Sequence, residues 1–120
     1  MAWPNNEFLQ LINDRGIVAD INDSVGKGWF PLVTKMFDEM IAAGWDKHVV
    51  QIKEKFGMLR VYIAQPNIPE VWAIIYRYEE MSRHICEHCG ESGEQVGLRG
   101  ERMRVACPAH ALLGPKGWGE

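Results

Sequence analysis

The sequence predicts an α+β fold, in the order α-α-β-β-α, with a small cysteine-bearing appendage. Three observations carry that prediction. Apolar residues recur at helical spacing over three segments. Between the second and third lie two alternating stretches separated by Gly57, the pattern of a β-hairpin. After residue 85 the composition shifts to Cys, Gly, Glu and Arg, and all three cysteines fall between residues 86 and 107.

Each element has its own justification. Phe8, Leu9, Leu11 and Ile12 share one side of a first helix that Asn5 or Asn6 can cap and Gly16 can end. Residues 17–28 hold Asp20, Asn22, Asp23, Ser24, Gly26 and Gly28, the composition of a loop. A second helix is expected from Trp29 to Ala43, with Phe30, Val33, Met36, Phe37, Met40 and Ile41 recurring. Pro31 sits in its first turn, where a missing N–H costs nothing. In the hairpin, alternation puts Val50, Ile52 and Phe56 on the core face with Leu59, Val61 and Ile63. Gln51, Lys53 and Lys55 face the other way with Arg60 and Tyr62. Glu54 then falls on the apolar face, so a bulge re-aims it or an Arg pairs with it. Asn67 and Glu70 resemble a capping box for a third helix, whose stripe is Val71, Ile74, Ile75, Tyr78, Met81 and Ile85.

Composition bounds the function. The chain has 120 residues, 47% of them hydrophobic and 24% charged, enough apolar material for a real core in a soluble globular protein. No stretch approaches the roughly 18 apolar residues of a membrane span. Met1–Glu7 has no basic n-region or apolar h-region, so no secretory signal is expected. A formal net charge of −3 disfavours a general grip on DNA, though not a local basic patch. The expected location is the bacterial cytoplasm.

The cysteines carry the sharpest signal. Cys86-Glu87-His88-Cys89-Gly90 is followed, after an interval to Ala106, by Cys107-Pro108-Ala109-His110. Two pairs with two-residue spacers match a four-ligand zinc site built from Cys86, Cys89, Cys107 and His110. Four ligands fill the shell of a structural Zn²⁺, whereas a catalytic site keeps a position open. The deaminase order, H-x-E before P-C-x-x-C, is absent. Reduced structural thiols are the competing reading, but a glycine-rich tail with almost no aliphatic core then lacks a reason to fold. His88 could compete as a ligand, although a solvent-facing or hydrogen-bonding role is preferred. His48 and His84 read as ordinary surface histidines. Val96-Gly97-Leu98 and Met103-Arg104-Val105 suit a small hairpin turning near Gly100, and Ala109–Leu113 a short helix. Knuckle, hairpin and helix resemble a treble-clef finger. The domains are therefore 1–84 (α+β), 85–114 (zinc finger) and 115–120 (tail).

The string V-x-x-K-E-K-F-G-x-L-R-x-Y, then a helix, then C-x-x-C-G…C-x-x-H, resembles a group of small uncharacterised bacterial and bacteriophage proteins. Lys53, Glu54, Lys55, Phe56, Gly57, Leu59, Arg60, Tyr62, Cys86, Cys89, Gly90, Cys107 and His110 carry the likeness, which covers about residues 45–112. It implies a zinc module and a bacterial or phage origin, and assigns no enzyme activity.

The function expected from these readings is non-enzymatic. A zinc-stabilised phage accessory protein would bind and inhibit a host protein complex, as an anti-CRISPR protein does. Its binding surface would comprise Lys53, Lys55, Arg60 and Tyr62 with Arg99, Arg102 and Arg104, and the partner would be a host or phage protein. Trp3 and Trp118, near the termini, are further contact candidates, whereas Trp29 and Trp72 are expected in the core. A nucleic-acid-binding zinc-finger regulator using the same cations is the alternative. A small treble-clef nuclease with His84 or His88 as base is the second alternative, though no Asp/His/Asn set accompanies them.

Overall fold

A computed structural model describes residues 5–19, 25–64, 68–97 and 103–113. The first amphipathic segment folds as helix α1 (Asn5–Asp14), which buries Phe8 and Ile12. Part of the expected loop is ordered in two ways. Val18–Ala19 form strand β1, and Lys27–Trp29 form a 3-10 turn that runs into helix α2 (Phe30–Ala42). A two-residue strand carries no periodicity, so pairing with a distant segment, rather than local propensity, creates β1. Strands β2 (His48–Glu54) and β3 (Leu59–Ile63) make the hairpin, and helix α3 (Pro69–Ser82) follows. The chain then forms a second hairpin, β4 (Glu94–Gly97) and β5 (Met103–Ala106), and ends in helix α4 (Pro108–Leu113). The fold is α+β.

The main sheet runs β1-β2-β3, with β1 parallel and β3 antiparallel to β2. Trp29, Val33, Met36, Phe37 and Met40 from the second helical segment share one core with Val49, Ile52, Leu59 and Val61 from the sheet and Val71 and Ile75 from α3. Val105 of β5 is fully buried in that same cluster, so the cysteine segment contributes to the core. Trp45 is also buried and stacks on Phe37 at 5.5 Å between ring centroids. Trp29 is fully buried, whereas Trp72 is only partly so. Trp3 and Trp118 lie outside the described residues.

Two assignments in the hairpin are corrected. The register shifts between Val49 and Gln51, so Val49, not Val50, is the buried partner of Ile63. A bulge adds one residue and flips the phase of everything before it. Phe56 does not join the core face: it sits in the turn and is 66% exposed. The Glu54 carboxylate accepts the Gly57 N–H at 2.8 Å and closes the turn.

The helix α3 stripe is also revised. Among the described residues no side chain caps its start. Ile68 is the N-cap residue and Pro69 opens the first turn, while Asn67 lies outside the described residues. Met81 is exposed, while Ile85 lies beyond the helix end and packs half-buried against the core. Glu79 and Ser82 are buried as well, and the edge of β3 explains why. The Leu59 N–H donates to Ser82 Oγ at 2.9 Å and the Val61 N–H to Glu79 Oε2 at 2.9 Å. Side chains of α3 thus satisfy strand donors that would otherwise be an open edge.

Burial raises the Glu79 carboxyl above its ordinary value, against the Val61 N–H and Arg60, which both favour the charged form. An acid with a higher pKa in the folded state holds its proton more tightly there. Its ionisation therefore costs stability as pH rises from the unfolded pKa through the native one. Glu79→Gln keeps an acceptor for Val61 and cannot ionise. Thermal melts from mildly acidic to neutral pH should show this component of the slope removed in the variant; an unchanged slope would contradict the assignment.

Candidate metal centre

The end of α3 delivers the first ligand. Successive turn hydrogen bonds, Arg83 to Glu80, His84 to Met81 and Ile85 to Ser82, unwind the helix into Cys86. The Cys86 N–H donates to the Glu91 carbonyl at 2.7 Å, and the Gly90 N–H to the Cys86 carbonyl at 2.9 Å. This knuckle holds Cys86 and Cys89 on the same side of a tight turn. Strands β4 and β5 then return the chain antiparallel, with Glu94 opposite Ala106, and so place Cys107 beside the knuckle. Its carbonyl accepts the Ala111 N–H at 2.8 Å as α4 begins, which puts His110 one helical turn along on the facing side.

The donor atoms of Cys86, Cys89, Cys107 and His110 all lie within 4.8 Å of one another. Cys89 Sγ is 3.7 Å from Cys107 Sγ, and Cys86 Sγ is 3.6 Å from His110 Nδ1. Tetrahedral coordination with metal–sulfur bonds of about 2.3 Å requires sulfur–sulfur edges of about 3.8 Å. Cys107 Sγ and His110 Nδ1 are closer, at 3.0 Å. These four residues could hold a metal ion. Cys86 and Cys107 are buried, His110 is half-buried and Cys89 is exposed. The His110 backbone N–H is the main cause that lowers the Cys107 thiol to about 6. Desolvation is the main cause that raises the Cys89 thiol to about 11, with the Glu91 amide opposing it. Metal binding requires all three as thiolates.

His88 is outside the cluster and packs edge-on against His110, with ring centroids 4.3 Å apart. It shapes the ligand's surroundings without adding a donor. His84 is exposed in the turn after α3.

The knuckle is docked onto the rest of the fold by residues that sequence reasoning passed over. The Gly28 N–H donates to the Glu87 carbonyl at 2.8 Å, and the Trp29 indole N–H to the Ile85 carbonyl at 2.8 Å. The Glu87 side chain is fully buried and its carboxylate accepts the Gly26 N–H at 3.2 Å. A Cβ on Gly28 would stand 2.3 Å from the Cys86 carbonyl oxygen and 2.5 Å from the Gly90 nitrogen. One on Gly26 would stand 2.3 Å from the Glu87 carbonyl oxygen. Gly26-Lys27-Gly28 is therefore a backbone-on-backbone contact that no other residue type allows. A Gly-x-Gly ahead of a buried Trp was the available signal, but it reads equally well as loop.

The cations singled out earlier do not all fall in one described place. Lys53, Arg60 and Tyr62 lie on one face of the β2–β3 hairpin, and Lys55 precedes its turn. Arg104 pairs through its backbone with Val96, while Arg99 and Arg102 lie outside the described residues. Gln95 of β4 links the regions: its amide donates to the Gly57 carbonyl at 2.9 Å, and its oxygen accepts from Arg83 at 3.3 Å. No helix among the described residues is long and apolar enough to cross a membrane.

No family model, curated protein or solved structure matches this chain.

Proposed function

We propose that this chain is a non-enzymatic, zinc-stabilised binding protein. The observation that supports this reading is the Cys3His cluster: four donors lie within 4.8 Å of one another, as many as a closed structural zinc shell takes. Three thiolates and an imidazole suit Zn²⁺ among the biological divalent ions. Cys86, Cys89, Cys107 and His110 would hold it, and its contribution is folding energy for the segment they enclose. That segment in turn braces the β2–β3 hairpin through Gln95, and the hairpin presents its cations and rings to a macromolecular partner. In the setting that the resemblance implies, such a binder would act as a phage accessory protein that blocks a host complex.

Metal analysis of the purified protein should give one zinc per chain. Cobalt(II) substitution should give a tetrahedral thiolate spectrum, and added azide should not change it because every position is filled. A stoichiometry far below one with intact thiols would overturn the metal assignment. A spectrum that shifts with azide would indicate an open position, and with it a catalytic rather than a structural centre.

A further inference from the structure

Phe56 is the residue whose placement folding does not explain. Its φ is +54° and that of Gly57 is +76°. The Lys55 N–H donates to the Met58 carbonyl at 2.8 Å and the Met58 N–H to the Lys55 carbonyl at 3.2 Å. This is a two-residue hairpin turn with both central residues left-handed, where Asn-Gly or Asp-Gly is the favoured pair. A large aromatic there is strained, and at 66% exposure it buries little in return. Strain held at one exposed position is a mark of function. The turn is also braced rather than loose, by Glu54 on the Gly57 N–H and by Gln95 on the Gly57 carbonyl.

The face behind the tip adds a second observation. Lys53 lies directly opposite Arg60 in the β2–β3 register, and Gln51 opposite Tyr62. Like charges directly across a strand pair oppose folding; the Glu79 carboxylate, 3.7 Å from Arg60 Nε, offsets part of that repulsion, and an anionic ligand would offset the rest. Cations also stand against the rings: the Lys55 ammonium is 5.7 Å from the Phe56 ring centroid and the Arg60 guanidinium 5.8 Å from that of Tyr62.

We infer that this hairpin binds single-stranded nucleic acid, with Phe56 as the stacking platform for a base and Lys53, Lys55 and Arg60 on the phosphates. Aromatic platforms beside cations are how such strands are held without sequence preference. Protein interfaces are depleted in lysine. A face that carries exposed Lys55 and half-buried Lys53 and Arg60 therefore fits a polyanion, with the two lysines weighing against a protein surface. The inference rests on the binding-protein reading and puts a polyanion in place of the host protein expected there.

The test uses the full-length, zinc-loaded protein and fluorescein-labelled oligo(dT) and oligo(U), followed by anisotropy at several salt concentrations. Affinity should fall with salt, with a log–log slope of about −2 if the three cations each neutralise a phosphate of a single strand. Phe56→Asn should weaken binding roughly tenfold or more through lost stacking. The same variant should melt at a higher temperature than the wild type, because asparagine suits the left-handed position. Lys53→Glu with Arg60→Glu should flatten the salt slope. The inference is overturned if neither oligonucleotide binds at low salt, which would favour a protein partner, or if binding is unchanged in Phe56→Asn. A full zinc complement in the same sample separates that failure from failure of the metal assignment.

Discussion

Cys86→Ser is expected to abolish metal retention and unfold the segment from Ile85 to Leu113. Cys86 is fully buried, and its sulfur faces His110 Nδ1 at 3.6 Å. Structural zinc sites return on the order of 10 kcal/mol of binding energy as folding energy. Whole domains are stable by only about 5–15 kcal/mol, so losing one ligand of four competes with the entire stability of this part of the chain. Elemental analysis after dialysis should read well below one equivalent of metal, and the thermal transition should fall steeply. A serine at the exposed Cys89 removes a ligand without disturbing the core. If Cys89→Ser matches Cys86→Ser, the loss is that of the metal and not of packing. Full metal retention with an unchanged melt in either variant would contradict the site.

Gly28→Ala should be nearly as damaging, for a different reason. The added methyl would meet the Cys86 carbonyl at 2.3 Å, the Gly90 nitrogen at 2.5 Å and the Cys89 nitrogen at 2.8 Å. All three are backbone atoms of the knuckle, so no side-chain rotation relieves the contact. Overpacking that backbone cannot absorb costs about 3 kcal/mol, and here it also displaces the turn that bears Cys86 and Cys89. Gly44→Ala is the comparison: Gly44 has φ +101° and nothing within 4 Å of its would-be Cβ, so only backbone strain of about 1 kcal/mol is expected. Chemical denaturation of the two variants should show the larger loss at Gly28 together with weakened metal affinity. Equal losses with unaltered affinity would mean that the seam does not support the centre.

The contrast between Cys86 and Gly28 also marks what was legible in the sequence. The ligand set could be read because metal coordination fixes residue type and spacing together, and Cys86, Cys89, Cys107 and His110 do converge in space. The helices and the hairpin could be read because burial imposes a period on them. What escaped depends on contacts between distant segments. Gly26 and Gly28 serve the knuckle about sixty residues later, and the Gly-x-Gly they form reads equally well as loop. Glu79 and Ser82 look like interruptions of an apolar stripe until β3 supplies the donors they satisfy. Phe56 reads as a core residue by alternation, because Gly57 marks the turn without showing that the turn takes in Phe56 as well.

Hydrogen exchange at the Gly28 amide, with and without a strong chelator, tests most directly whether the metal centre organises its seam with the rest of the fold. That N–H donates to the Glu87 carbonyl inside the knuckle, whereas the Leu59 and Val61 amides are held by α3. On removal of the metal, Gly28 should lose its protection while Leu59 and Val61 keep theirs. Undiminished protection at Gly28 in metal-free protein would show that the knuckle stands without its ion, and would contradict a structural role for the centre.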